Sequence, residues 1–161
     1  MEKIEYLYHG SQYLFDKLEP QQAFGLESED GNKFGIYAYE YFEWVIPFAL
    51  PIRWYPDNPN GGRRSFSCKH GIVTINYGSI NPNGFGYVYK MKPENFVKID
   101  KEQWLSKIGI KPLEIIKINV SDYWDKIFFT ENALKMIEEI YPMYKRYISK
   151  KDNLFYLDIN K

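Results

Sequence analysis

The sequence predicts an α+β fold, and three observations lead there. Strand-like runs cluster between residues 72 and 119 without regular alternation with helices, which argues against a doubly wound sheet. A single apolar run of helical length, 40–50, follows the early strands. Helical patterning returns only from Ser121 onward. At 161 residues, with 45% hydrophobic and 26% charged residues, the chain can fill and cover one domain. We read a core over 1–120 and C-terminal helices over 121–161.

Taken in order, Ile4-Glu5-Tyr6-Leu7-Tyr8 has strand composition and ends at His9-Gly10-Ser11. Residues 12–34, with Pro20, Gly25 and Asp30-Gly31-Asn32, read as a long loop with room for a short helix. Gly35-Ile36-Tyr37-Ala38 is a short buried strand. Glu40 to Leu50 is apolar at most positions, as in a buried helix, and Pro47 either starts or kinks it. Residues 55–70 carry turn chemistry around Asn60-Gly61-Gly62 and a basic spot, Arg63-Arg64. Strands then follow at Ile72–Tyr77, Gly86–Met91, Phe96–Ile99, Gln103–Ser106 and Leu113–Asn119, separated by Gly, Asn and Pro. Ser121 caps a short helix over Asp122–Phe128. Thr130 opens a longer one over Glu131–Ser149, kinked or divided at Pro142.

Several function classes are disfavoured at once. Net charge is zero, from 21 basic and 21 acidic residues, so no broad field draws nucleic acid or anionic lipid. One cysteine, Cys68, allows no internal disulfide and fits a reducing compartment. The first residues lack a signal-peptide core and no apolar run reaches spanning length, so the expected location is the cytoplasm, with no membrane association. There is no P-loop, no Rossmann fingerprint and no Cys/His set of zinc spacing, so no metal is expected. The aromatic share of 19% is spread over the whole chain, which fits a tyrosine-rich core at least as well as an aromatic cleft.

His9-Gly10-Ser11 closes the first strand, Phe15-Asp16-Lys17-Leu18-Glu19-Pro20 follows it, and Gly35-Ile36-Tyr37 forms the next strand. Together these resemble the start of the ADP-ribosyltransferase fold, the NAD-cleaving domain of diphtheria toxin and the poly(ADP-ribose) polymerases. The resemblance covers roughly residues 4–119. It implies split β-sheets with flanking helices, and NAD as substrate. Cleaving NAD breaks the bond between nicotinamide and ribose while positive charge grows on the sugar. The enzyme must hold the pyridine ring and both riboses and set negative charge near the cation. By resemblance, His9 holds a ribose hydroxyl, and Gly10 and Ser11 hold the carboxamide. Tyr37 and Phe48 stack on the pyridinium, which gains from aromatic faces. Val45 stands where the family often has Ser or Ala.

The family's late strand carries a glutamate, commonly just before an aromatic. Lys101-Glu102-Gln103-Trp104 resembles that passage. Spacing to the next strand selects Glu102 as the catalytic acid; adjacency to the aromatic selects Gln103. One residue of register turns a strand side chain to the other face, so only one can serve. Glu94 and Glu114 are more distant alternatives. The resemblance thus implies transfer of ADP-ribose to a macromolecular acceptor, or NAD hydrolysis. The alternative is an inactive member serving as a nucleotide-binding or protein-interaction module. A partner through the C-terminal helices is possible in either case, although their apolar stripe also reads as core. An RNA-directed relative that removes a terminal phosphate is disfavoured by the neutral charge. Arg63-Arg64, His70 and Cys68 read as loop or surface residues.

Overall fold

The computed structural model describes residues 3–22, 34–53 and 66–158. Gly25, Asp30-Gly31-Asn32 and Arg63-Arg64, singled out above, lie outside the described residues. Among the described residues fourteen strands and two α-helices follow in order: β1 Leu7–Ser11, β2 Gln21–Gln22, β3 Phe34–Tyr39, α1 Phe42–Ala49, β4 Ile52–Arg53, β5 Phe66–Lys69, β6 Ile72–Ile75 and β7 Ser79–Ile80. Then come β8 Phe85–Met91, β9 Val97–Lys98, β10 Gln103–Ser106, β11 Glu114–Asn119, β12 Ile127–Phe129, α2 Glu131–Ile140, β13 Ile148–Lys151 and β14 Leu154–Leu157. The class is α+β, strands predominating in mostly antiparallel sheets. Among the described residues no helix is long and apolar enough to cross a membrane. Two compact units share the chain, 1–49 with 86–118, and 50–85 with 119–161.

In the first unit the sheet runs β11-β8-β1-β3-β10-β9, with β2 on β3. Alternation along each strand sorts side chains onto two faces. Leu7, Tyr89, Met91, Ile36 and Ala38 share one, covered by Leu18, Phe96 and Ile110. Helix α1 lies on the other, over the glycine floor of β1 and β8. A Cβ on Gly10 would lie 2.3 Å from the Val45 carbonyl oxygen, and one on Gly86 only 1.6 Å from that of Ala49. Glycine there lets helix and sheet approach backbone to backbone.

In the second unit the sheet runs β13-β14-β12-β6-β5, and β12 pairs with β6 in parallel. Val73, Ile75, Ile127 and Phe129 fill its centre. Thr130 caps α2: its hydroxyl oxygen accepts from the Ala133 N–H at 3.5 Å and donates to the Asn76 carbonyl at 2.8 Å.

The C-terminal region is less helical than expected. The predicted helix over Glu131–Ser149 ends at Ile140, because Pro142 has no N–H and disfavours helical backbone at Tyr141, whose ψ is 63°. One 3₁₀ run, Pro142–Tyr147, follows, and then the hairpin β13–β14. Its two-residue turn, Asp152-Asn153, places Asp152 at φ 57°, a conformation that short polar side chains tolerate. The short helix expected over Asp122–Phe128 is two 3₁₀ turns, Val120–Asp122 and Trp124–Lys126, leading into β12.

Candidate functional site

The first unit holds every residue selected from sequence. Strands β1 and β3 pair at Tyr8↔Tyr39 alone, and past that point they part. The His9 side chain bridges them: Nδ1 lies 2.6 Å from the Tyr37 carbonyl oxygen. A carbonyl only accepts, so Nδ1 carries the hydrogen, and the neutral ring presents Nε2 as an acceptor. Burial lowers the His9 pKa, against the opposing pull of the Tyr37 carbonyl.

This has a measurable consequence. The folded pKa lies below the ordinary 6.5, so between the two values the unfolded chain binds more protons. His9 therefore contributes its full stability above about pH 6.5. That share is lost as pH falls through the folded pKa. Melting temperatures of wild type and His9→Asn, measured from pH 8 down to pH 4, should converge below pH 6.5; a constant gap would refute the assignment.

Beside His9 opens a cleft of about 530 Å³, lined by His9 and Ser11 of β1, by Tyr13, Phe15 and Gln21 beyond it, and by Gly35 of β3. The volume suits a small-molecule ligand. The chain between β1 and β2 forms a strap over it, pinned twice. The Tyr89 hydroxyl donates to the Tyr13 carbonyl and accepts from the Phe15 N–H, each at 2.7 Å. Leu18 and Ile110 exchange both backbone bonds at 2.9 Å. The Phe15-to-Pro20 phrase thus has a structural role, with Phe15 held at its backbone and Leu18 buried. Lys17, also in the cleft wall, pairs with Glu19 at 3.7 Å. The Ser11 hydroxyl accepts from the Tyr13 N–H at 3.1 Å and keeps its own hydrogen to donate.

The other face carries the remaining residues. Gly10 abuts Val45 and Phe48 of α1. Tyr39 and Phe48 stack at 5.9 Å and 19°. Tyr37 shares their side, two residues along β3. So the imidazole of His9 and the phenol of Tyr37 point to opposite faces of the sheet, although the resemblance implies that both hold one NAD. Two rings that sandwich a third must stand about 7 Å apart, two contact distances. Phe48 is instead packed on Tyr39.

Strand β10 lies directly beside β3, with Gln103 opposite Tyr39 and Leu105 opposite Tyr37. Paired residues share a face, so Gln103 stands on the Tyr37–Phe48 side. Its Oε1 is buried, with no hydrogen-bond partner among the described residues. Glu102 precedes the strand, in a turn where the Asp100 carboxylate accepts from the N–H groups of Glu102 and Gln103 at 2.8 and 2.6 Å.

No family model, no curated protein and no solved structure matches this chain. Sequence reasoning missed Tyr13 and Tyr89. Alternation along Gly86–Met91 could have marked Tyr89 as facing the core, but nothing local announces its bond to a backbone 74 positions away. Tyr39 was also missed, although it lies two residues after Tyr37 in the same strand.

Proposed function

We propose that this chain is an ADP-ribosyltransferase-like protein that binds NAD and releases nicotinamide, passing ADP-ribose to a macromolecule or to water. The observation that carries the reading is the His9 bridge. The His-Gly-Ser and Gly-Ile-Tyr strands are neighbours, parted beyond a single pair, with the imidazole tied to the Tyr37 carbonyl. The tie leaves Nε2 as an acceptor for a ribose hydroxyl. Beyond Tyr8, β1 is free of the β3 ladder, so its backbone there can meet a carboxamide. Gly10, Tyr37 and Phe48 share one face of the sheet. Strand β10, which opens at Gln103, adjoins β3.

A second reading, an NAD-binding module without turnover, is favoured by one observation. The residue that β10 sets on the Tyr37 side is Gln103, which is neutral. Nicotinamide release from NAD by wild type, Glu102→Ala and Gln103→Ala separates the two. Turnover by wild type supports the first reading, and its loss in one variant identifies the residue that serves the cation. No release, with NAD still raising Tm, supports the second. Neither release nor a Tm shift at millimolar NAD would remove both.

A further inference from the structure

We infer that Tyr89 is a positioning residue for the ligand cleft, holding the strap in its binding-competent form before ligand arrives. The inference rests on the NAD reading above. Tyr89 is fully buried on β8, cross-strand from His9, with ring centroids 6.2 Å apart. Its single hydroxyl satisfies two backbone groups of one short loop. Burial pushes its pKa up, which keeps the phenol protonated and able to donate.

The loop it holds would not choose this conformation by itself. Tyr13, Leu14 and Phe15 are three consecutive large apolar residues, with 68%, 60% and 37% of their surface exposed. Such a run left free collapses onto whatever apolar surface it can reach. Here it is fixed outward, and the rings of Tyr13 and Phe15, 6.4 Å apart, form part of the cleft wall. The Leu18–Ile110 pair anchors the far end with two backbone hydrogen bonds and two buried side chains. At the near end the Tyr89 oxygen makes two bonds, and the Ser11 hydroxyl, accepting from the Tyr13 N–H, makes one. Removing the Tyr89 oxygen leaves the Phe15 N–H and the Tyr13 carbonyl without their partner, and the loop must turn to water to satisfy them. The open form then competes with the closed one, and apparent affinity falls by the fraction of molecules that remain closed. Affinity lost this way is lost in association, because the bound complex closes the strap again.

The test uses the full chain, with NAD as probe. Wild type and Tyr89→Phe are compared by calorimetry for Kd and by stopped flow for rates. Met91→Leu, a change at an equally buried position of the same cluster, is the control for stability alone. Amide hydrogen exchange at Phe15 reports the strap without ligand. The expected result for Tyr89→Phe is Phe15 exchange at least tenfold faster and Kd about tenfold weaker, the change lying in association with dissociation near wild type. Met91→Leu should lower Tm and leave both rates unmoved. Unchanged Kd in Tyr89→Phe, or unchanged Phe15 exchange, overturns the positioning role while leaving NAD binding intact. Absence of NAD binding by wild type overturns the functional reading and this role together.

Discussion

Gly86→Ala is expected to destabilise the protein by about 3 kcal/mol or more, since overpacking against a rigid neighbour lies at the costly end of core substitutions. For a chain of this length that is a fall in Tm of roughly 10 °C. The added carbon would sit 1.6 Å from the Ala49 carbonyl oxygen and 3.0 Å from that of Ser11. Both obstacles are backbone, so no rotamer change relieves them. Either α1 lifts from the sheet or β8 parts from β1. A contrasting variant isolates the cause. At Gly109 the new carbon would meet the Lys17 Cε at 2.7 Å and the Glu19 carboxylate at 2.9 Å. Those are tips of flexible, exposed side chains, so Gly109→Ala should cost less than about 1 kcal/mol. Thermal unfolding of the two variants side by side is the check. If both melt together, α1 does not rest on the glycine floor as described.

Gln103→Glu is the substitution with the largest expected effect on chemistry. Under the proposed function it should raise nicotinamide release about a hundredfold, the scale of one well-placed electrostatic contact in a transition state. Register decides which side chain faces the ligand. Gln103 faces the Tyr37–Phe48 side of the sheet, and its Oε1 is buried with no hydrogen-bond partner among the described residues. A carboxylate there offers a full negative charge where an amide offers only a dipole. Burial raises the pKa of such a carboxyl. The gain should therefore appear only as pH rises through that raised value, and vanish at low pH. Glu102→Ala should leave turnover within about twofold of wild type, as expected of a surface change away from the reacting centre. Release measured at several pH values decides. A flat response of Gln103→Glu, together with loss in Glu102→Ala, would return the acid to Glu102.

How much of this was legible beforehand differs from element to element. Gln103–Ser106 was read at its observed bounds, because Asp100 and Gly109 fence a short apolar run. The buried helix was found within two residues, although Pro47 lies inside it. The hairpin Ile148–Lys151 with Leu154–Leu157 was missed. The longer helix was read on to Ser149, into β13, and the Asp152-Asn153 turn was not recognised. Of the site, the residues His9, Gly10 and Ser11 on one strand and Tyr37 on the next were each placed on the right element. Their mutual orientation was not foreseen.

The sequence by itself determined the strands β1, β3, β6, β8, β9, β10 and β11 to within a few residues, and which of them carry hydroxyl, imidazole and aromatic groups. Those properties follow from neighbours in the chain, through turn chemistry and side-chain periodicity. Tertiary structure alone decided that β1 and β3 part after one pair, that α1 takes the Gly10 face, and that Tyr89 holds a loop far away in sequence. Each of those depends on which strand pairs with which and in what register. Register is a property of two segments meeting, and no single segment carries it.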